Sequence, residues 1–600
     1  MNLALPNRSR RAAGSAAAAL AAALAVLAAA LALAAPAGAK PIAAYPSPGS
    51  VYASPTTNIA LSGVTRASVG RIMVRGSRSG FHRGRIEAWA GPVGVSFIPS
   101  RPFAPLEKVT VTSRSHPFYG TGGSRSYSFK TGEFLPENLG ADPFSPAKGQ
   151  TPRASQTYKT LRLKVPKIVV HANEPGKSNG KIFYAPRTSG PTILDADGNL
   201  VWYRPGLRIT DFRAQVYNGH RILTWWRRDT FGKRVTSRFE MANRHYKVFR
   251  RFGGGNGFTG DPHEFNLTSR GTAFVTAYKT AVVDLSRFGG PRRAFLLDYI
   301  GQEIDIKTGL VVWEWHPLGN LPMNRTYLPI PRRNTRPFDW FHMNSINDDN
   351  DGNVLISARH TQALYKINRK TGRIMWQIGG KGGDFKLGKG VRFGFQHDLI
   401  RQKNGTLTIF DNGAGGVHGK VNRFSSAKVL RVNTKRRRVT LVRAYRDPRN
   451  VISNSQGNTD VQANGNIFVG WGDRNACTEF APDGRVLFDF TFAARTVSYR
   501  CFKRPWSGAP TTPVAVKSER ESDGSQVWMS WNGDTRVAEW RVLAGTAPGK
   551  LVEITTVPRD GFESTATLDQ AFKYYRAVGL SAGGKVLGRS ELNRLGRLTD

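Results

Sequence analysis

Three histidines and one arginine recur beside short apolar runs that alternate as strands do. They stand in the pieces Asp261-Pro262-His263-Glu264-Phe265-Asn266, Asp339-Trp340-Phe341-His342-Met343-Asn344-Ser345, Ser357-Ala358-Arg359-His360 and Phe395-Gln396-His397-Asp398. Imidazole and guanidinium groups donate hydrogen bonds and carry positive charge, which suits them to hold an anion. Their arrival at related points of repeated strand modules predicts one shared, central anion site.

Two hairpin signatures alternate between residues 165 and 505. The first places a glycine turn between two apolar runs, and it recurs around Gly219, Gly271, Gly352, Gly405 and Gly465. The second puts a turn before an aromatic-rich strand, and it begins at Asp197, Lys307, Lys370 and Asp483. An inner hairpin followed by an outer one is what a four-stranded propeller blade requires. The pattern predicts an all-β fold with a six-bladed β-propeller over residues 165–505. An insertion or a missed blade between the second and third inner turns stays open.

The segments on either side differ in pattern from the repeats. Residues 45–131 hold short apolar runs separated by Pro and Gly turns, which predict an immunoglobulin-like β-sandwich. Residues 132–164 are rich in Pro, Ser and polar residues and are interpreted as a linker. Residues 506–600 carry strands that resemble a fibronectin type III module. We place the chemistry in the propeller between these flanks.

The first 39 residues have the pattern of a signal peptide. A basic segment around Arg10 precedes an Ala/Leu-rich stretch, and Ala37-Gly38-Ala39 offers small residues for cleavage. The stretch is long enough to span a bilayer, so an uncleaved anchor remains an alternative, and the choice between Sec and Tat export stays open. The two cysteines, Cys477 and Cys501, are predicted to form a disulfide in an exported chain. The protein is therefore expected to be secreted or associated with the cell envelope.

The formal net charge is +45. The Lys and Arg residues are spread along the chain and form no recognisable nucleic-acid-binding motif, so a specific nucleic-acid partner is not predicted. A basic surface of this kind draws anionic substrates inward and favours adsorption to an anionic envelope. No phosphate-cradling Gly loop is followed by Lys and Ser or Thr, so the sequence implies no nucleotide cofactor.

The four pieces, in this order and approximate spacing, resemble the bacterial arylsulfotransferases over residues 165–505. The resemblance implies an exported six-bladed propeller that moves a sulfuryl group from an aryl sulfate to a phenolic acceptor by a ping-pong route, independently of the nucleotide donor PAPS. It also implies that His397 is transiently sulfated, with His263, His342 and Arg359 as the other catalytic residues.

The chemistry of these side chains fits such roles. Arg359 presents a charged fork to two sulfate oxygens, and His263 and His342 can donate to the sulfate or shuttle a proton. A neutral His397 is a competent nucleophile that splits the transfer into two steps. Asp398 or Asn344 is expected to fix an imidazole tautomer. His360 follows Arg359 directly, so strand alternation predicts that it faces away. The substrate-binding residues are predicted to be Asn344, Trp340 and Phe395, with Phe341 and Phe393 as further candidates for the phenol slot.

Two other functions stay open. One is a secreted, non-catalytic propeller that binds anionic envelope polymers. The other is a metal-dependent propeller hydrolase or lyase, in which His263, His342 and His397 hold zinc. The preferred interpretation assigns no metal. The sequence does not name the donor or the acceptor, and it does not give the oligomeric state.

Overall fold

The computed structural model describes residues 39–136, 155–162, 164–186, 189–231, 234–415, 419–493 and 496–596. Within these ranges the protein consists of β-strands and two short 3-10 turns, Ser286–Phe288 and Met323–Arg325, with no α-helix. The all-β prediction is confirmed. Residues 1–38 of the predicted signal peptide and residues 137–154 of the predicted linker lie outside the described residues.

None of the helical segments in the described ranges has the length and apolarity needed to cross a membrane.

Eight strands form two four-stranded antiparallel sheets near the start of the described chain, in the orders β1-β2-β6-β5 and β4-β3-β7-β8. Apolar and polar residues alternate along these strands, so each sheet has one apolar face, and the two apolar faces pack together. In Lys108–Ser113 the two valines are buried and Lys108 is exposed. Their facing sides enclose one core that includes Leu61, Val95 and Phe129. The strands are β1 (Ala43–Tyr45), β2 (Ile59–Ser62), β3 (Ile72–Gly76), β4 (Gly80–His82), β5 (Gly84–Ala88), β6 (Gly94–Pro99), β7 (Lys108–Ser113) and β8 (Ser126–Lys130).

Six larger sheets follow, together with a small pair formed by β9 and β10. Their orders are β36-β12-β13-β14, β15-β16-β17-β18, β19-β20-β21-β22, β23-β24-β25-β26, β28-β29-β30-β31-β27 and β32-β33-β34-β35-β11. The strands are β9 (Ser155–Gln156), β10 (Val165–Pro166), β11 (Ile168–Asn173), β12 (Lys181–Pro186), β13 (Thr192–Leu194), β14 (Leu200–Tyr203), β15 (Ile209–Tyr217), β16 (His220–Phe231), β17 (Arg234–Ala242), β18 (Val248–Phe252), β19 (Thr259–Leu267), β20 (Thr272–Val283), β21 (Ala294–Asp305), β22 (Val311–Trp315), β23 (Met343–Asp348), β24 (Val354–Ala358), β25 (Ala363–Ile367), β26 (Ile374–Gly379), β27 (Lys386–Leu387), β28 (His397–Arg401), β29 (Leu407–Asp411), β30 (Ser426–Asn433), β31 (Arg438–Arg446), β32 (Asn458–Val461), β33 (Ile467–Gly470), β34 (Ala476–Phe480), β35 (Val486–Phe492) and β36 (Ser498–Arg504).

One strand at the edge of each of the six sheets contacts the corresponding strand of the next sheet. These inner strands are β15, β19, β23, β28, β32 and β36, and their contacts run in that order and return from β36 to β15. The last strand, β36, pairs with β12 from the start of the region, as in Phe183 opposite Phe502. The two ends of the region are thus joined in one sheet. The long interval between the second and third inner turns holds the long strands β20 and β21 and an irregular segment, 316–342, rather than another sheet.

A disulfide joins Cys477 on β34 to Cys501 on β36, as predicted. It links two neighbouring sheets of the six, beside the point where the first and last strands pair. Both sulfur-bearing residues are buried in a core that also contains Tyr184 and Phe490. Structural disulfides are typical of proteins in oxidising compartments.

Eight further strands form two sheets at the end of the described chain, ordered β37-β38-β41 and β40-β39-β42-β43, with β44 on β42. The N-terminal sheets contact the central region through the Asn58 amide, which donates to Val311 (3.0 Å). The C-terminal sheets do so through the Tyr246 hydroxyl, which donates to Gly533 (2.6 Å). The strands are β37 (Ala515–Glu521), β38 (Gly524–Ser530), β39 (Glu539–Gly545), β40 (Val552–Pro558), β41 (Glu563–Leu568), β42 (Tyr574–Leu580), β43 (Val586–Arg589) and β44 (Asn593–Arg594).

Candidate active site

The inner strands are irregular at their first residues. Four of them shift register against their partners, at Thr210/Arg213, Gly260/Phe265, Met343/Ser345 and His397/Ile400. Left-handed backbone occurs beside these shifts at Asp211, His342, Phe395 and Asp398, and also at Gln456 just before β32, with φ between 53° and 67°. Bulges of this type turn side chains away from the regular strand alternation, and strained non-glycine residues concentrate at functional sites. Because of these shifts, side chains near the starts of the inner strands can point toward one another, where regular strand alternation would point some of them away.

His263 and His342 face each other with their Nε2 atoms 3.0 Å apart. Each ring is oriented by a carboxylate at its other nitrogen, because Nδ1 of His263 lies 2.5 Å from Asp261 and Nδ1 of His342 lies 2.5 Å from Asp339. Burial raises the pKa of Asp261 well above its usual value. Burial also opposes ionisation of Asp339, but the adjacent His342 and His360 outweigh it and hold the pKa of Asp339 below its usual value.

These pKa shifts are consistent with one arrangement of protons on the two histidines and their two aspartates. A protonated Asp261 donates to Nδ1 of His263, whose Nε2–H donates to Nε2 of His342, and Nδ1–H of His342 donates to the ionised Asp339. The pKa of His342 is lowered by its burial, which agrees with a neutral ring. The chain of hydrogen bonds can take up or release a proton at the paired Nε2 atoms.

Arg359 and His360 lie in the turn between β24 and β25, and not on a strand as predicted. Nδ1 of His360 donates to the backbone oxygen of Asp339 (2.6 Å), and its Nε2 accepts from Nη1 of Arg359 (2.5 Å). The rings of His360 and His342 are 4.7 Å apart. The expectation that His360 faces away is therefore wrong, because strand alternation does not apply within a turn. The Arg359 guanidinium also donates to Asn454 (3.1 Å) and lies 3.9 Å above the Phe395 ring.

His397 is the most constrained of the three histidines, with 1% of its surface exposed. Its Nδ1 lies 2.8 Å from Oδ1 of Asn412. The Asn412 amide cannot turn over, because its nitrogen donates to the backbone oxygens of Ser453 (3.1 Å) and Gln456 (3.0 Å). His397 must therefore carry its proton on Nδ1 and its lone pair on Nε2, which accepts a long hydrogen bond from the Gln456 backbone N–H (3.2 Å).

Burial, and then the nearby charge of Arg359, lower the pKa of His397 well below its usual value, so the ring is neutral. The partner that fixes the tautomer of His397 is Asn412 and not Asp398, and the partner of His342 is Asp339 and not Asn344. Asp398 accepts from the Thr459 backbone N–H (2.8 Å), and burial raises its pKa to about 6. The Asn344 amide donates to the backbone of Gln396 (2.7 Å).

The predicted substrate contacts are distributed unevenly around the cluster. Phe395 lies directly beneath Arg359. Trp340 and Phe341 have no exposed surface and belong to a hydrophobic core, and Phe393 belongs to another core. Asn344 is likewise fully buried. The Phe395 ring lies 5.6 Å from that of His360.

Two tyrosines complete the cluster, and neither was predicted. The Tyr499 ring lies 5.6 Å from His263 and 6.4 Å from His397, and the Tyr299 ring lies 5.3 Å from His342. Both hydroxyls are buried without a hydrogen-bond partner among the described residues. Burial raises the pKa of both phenols well above the usual value, so both remain protonated donors. Nothing in their sequence surroundings distinguishes them from ordinary core tyrosines.

A network of buried charges lies beside the cluster, formed by neighbours of His263 and Tyr499 in the chain. Arg500 is fully buried and contacts Glu264 (2.8 Å) and Asp211 (3.1 Å). Arg213 contacts the same two carboxylates at 2.7 and 3.0 Å. Despite burial, the two guanidinium groups hold the pKa of Glu264 below its usual value. The network ties β15, β19 and β36 together beneath the histidines.

Clustered histidines and carboxylates can also bind a metal ion. Ligand atoms of Asp339, His342 and His360 lie within 4.8 Å of one another. This set differs from the three histidines considered from the sequence, since His397 faces Asn412 and Gln456 instead. The Arg359 guanidinium bonds to His360 within this set, and a second positive charge there opposes a cation. The geometry favours an anion beside Arg359.

Residues 243–493 match the family model described as arylsulfotransferase (ASST). The matched region contains His263, His342, Arg359 and His397, and the resemblance inferred from them is confirmed. No curated protein matches the chain.

Several solved structures are similar in part. A Bacteroides caccae protein of unknown function is 12% identical, with a TM-score of 0.34, over 54% of this chain and 98% of that one. The extracellular domain of a hybrid two-component system protein of B. thetaiotaomicron is 8% identical, with a TM-score of 0.31, over 91% and 67%. Virginiamycin B lyase from Staphylococcus aureus is 12% identical, with a TM-score of 0.21, over 56% and 84%. These scores are too low to bear on function.

Proposed function

Because residues 243–493 match the arylsulfotransferase family model, we propose that the protein transfers a sulfuryl group from an aryl sulfate to a phenol, without PAPS, by way of a sulfohistidine at His397. We infer that the six central sheets are the blades of a β-propeller, flanked by an immunoglobulin-like and a fibronectin type III-like module. One observation carries the proposal: His397 is buried and neutral, and Asn412 holds its lone pair on Nε2.

In the first half-reaction, Nε2 of His397 attacks sulfur and the bond from sulfur to the aryl oxygen breaks. The electron pair of that bond leaves on the phenolate oxygen, and a new N–S bond forms. The ring keeps its Nδ1–H and becomes positively charged, which strengthens its hydrogen bond to Asn412. The Gln456 backbone N–H, which faces Nε2 in the free protein, is then placed to donate to a sulfuryl oxygen.

The surrounding groups stabilise charge and move one proton. Arg359 retains its positive charge, although burial lowers its pKa to about 10, and it can hold the sulfate oxygens. The His263–His342 pair gives a proton to the departing phenolate and takes one from the attacking phenol in the second half-reaction. That phenol oxygen attacks sulfur, the N–S bond breaks, and its electron pair returns to Nε2 of His397.

The activity itself is tested with a chromogenic aryl sulfate. We expect phenol release to accelerate when a phenolic acceptor is added, and we expect sulfated acceptor to accumulate without any nucleotide donor. A chelator is expected to change neither rate. Abolition of activity by the chelator would support the metal-dependent hydrolase instead, and the absence of turnover over several donors would support the envelope-binding protein.

Removing the orienting amide in Asn412→Ala is expected to lower kcat for phenol release about 10- to 100-fold, by analogy with the loss of the group that orients a metal-bound imidazole. The ring would then be free to place its proton on Nε2, which has no lone pair in that tautomer. Ring-nitrogen NMR of His397 reports the tautomer directly.

Asn433→Ala, the same change at an exposed residue of β30, is the control and should keep wild-type kcat. An unchanged tautomer in Asn412→Ala, or an unchanged kcat, would show that Asn412 does not position His397.

A further inference from the structure

A cavity lies at the other ends of the inner strands from the histidines. Its volume is about 270 Å³, and it is bounded by Arg213, Gln215, Arg221, Asn266, Arg504 and Pro505. His342 and His397 lie at the starts of β23 and β28, and His263 lies in the middle of β19. Gln215, Asn266 and Arg504 stand near or at the ends of β15, β19 and β36. The buried charges of Arg500, Glu264 and Asp211 lie between the two places.

The residues that line the cavity include arginines, and one of their hydrogen-bond donors has no partner within the described part of the chain. Arg213 is 6% exposed, and its Nη2 is bound to carboxylates, but its Nε–H is buried without a hydrogen-bond partner among the described residues. A buried, unpaired guanidinium donor is costly unless a ligand or water satisfies it. Arg213 therefore lies between the cavity and the buried carboxylates and brings a positive charge to that side of the cavity.

Arg221 supplies charge that the protein does not balance. It is exposed on β16, opposite Val216 of β15, and it has no ion-pair partner within the described ranges. Arg504 adds a third guanidinium, although one of its nitrogens is paired with Asp460. Asn266 contributes an amide at the same opening. Several guanidinium groups around a small polar cavity are the recognised arrangement for an oxyanion.

We propose that this cavity is a second anion site, which binds a tetrahedral oxyanion of the sulfate type. The site is separate from the histidine cluster and does not depend on sulfuryl transfer. Arg213, which lines the cavity, also forms an ion pair with Glu264, the residue next to His263. An anion in the cavity thus contacts the same charge network that supports the proposed active site.

Selenate, an isostere of sulfate with a strong anomalous signal, tests the proposal by location. In crystals of the full chain soaked in selenate, we expect an anomalous peak in the cavity within hydrogen-bond distance of Arg221. The peak should be lost in Arg221→Gln and kept in Arg66→Gln, a matched change at an exposed arginine of the N-terminal module. A separate peak at Arg359 would bear on the proposed active site, so the two inferences succeed or fail independently.

Calorimetry of inorganic sulfate binding provides the solution measurement. Arg221→Gln is expected to weaken one class of sites about tenfold, the usual loss for a charge-assisted hydrogen bond, while Arg66→Gln leaves it unchanged. Repeating the soak with an aryl sulfate on His397→Asn, which prevents turnover, shows whether the ligand is free sulfate or the sulfate group of an ester. No peak in the wild-type cavity, or a peak that persists in Arg221→Gln, would overturn the proposal.

Discussion

Replacing His397 by Asn is expected to lower the rate of phenol release from an aryl sulfate by at least about 10⁴-fold, a loss typical of removing a covalent nucleophile. Asn has a similar polarity but no nucleophilic ring nitrogen, so the N–S bond cannot form. The measurement is kcat in the presence of saturating donor and acceptor.

The fold should survive this change, because His397 makes its side-chain hydrogen bonds only with Asn412 and the Gln456 backbone among the described residues. The thermal unfolding midpoint is therefore measured alongside kcat. His171→Asn, at an exposed histidine of β11, provides the matched control and should retain full activity. Retention of more than a few per cent of wild-type kcat in His397→Asn would assign the nucleophile to another residue.

Arg500→Met is expected to lower the free energy of unfolding by about 3–5 kcal/mol, because it removes one cation from a buried ion network and leaves Arg213 alone to balance two carboxylates. Arg500 is fully buried and contacts Glu264 and Asp211 directly. Met preserves much of the side-chain volume, so the loss reports mainly on charge. Chemical denaturation at neutral pH measures the difference.

The sign of the pH dependence provides a second check on the same variant. The pKa of Glu264 lies below its ordinary value of 4.5 in the wild type, so its stabilising contribution is present above that value and is lost as the pH falls through the lowered pKa. In Arg500→Met the carboxyl loses a cation and is neutralised more readily by acid. The stability gap between wild type and variant should therefore narrow toward pH 4. Arg66→Met, at an exposed arginine, should cost less than about 0.5 kcal/mol.

The sequence contained enough information to bring the three histidines and Arg359 near one another. His263, His342 and His397 each lie shortly before the hairpin turn of an inner strand, and the repeat predicted that such positions converge. The all-β class and the disulfide between Cys477 and Cys501 followed from equally local patterns, namely apolar alternation and an isolated even pair of cysteines.

The groups that complete the cluster could not be found in this way. Asn412 follows the second strand of its sheet, and Tyr299 lies on the third strand of another, so neither occupies a position at which the repeat predicts convergence. His360 joins the cluster because the chain turns after Ala358, and the pattern placed that turn later. The bulges at His342 and His397 depend on tertiary contacts, to which the two-residue alternation of a strand is insensitive.

The central claim, a covalent sulfohistidine at His397, is tested most directly by the intact mass of the protein after brief exposure to a chromogenic aryl sulfate without acceptor. We expect an increase equal to one sulfuryl group that is labile to acid, is discharged by added phenol, and is absent from His397→Asn. Release of phenol without any such adduct, under conditions that trap the intermediate, would contradict the covalent mechanism.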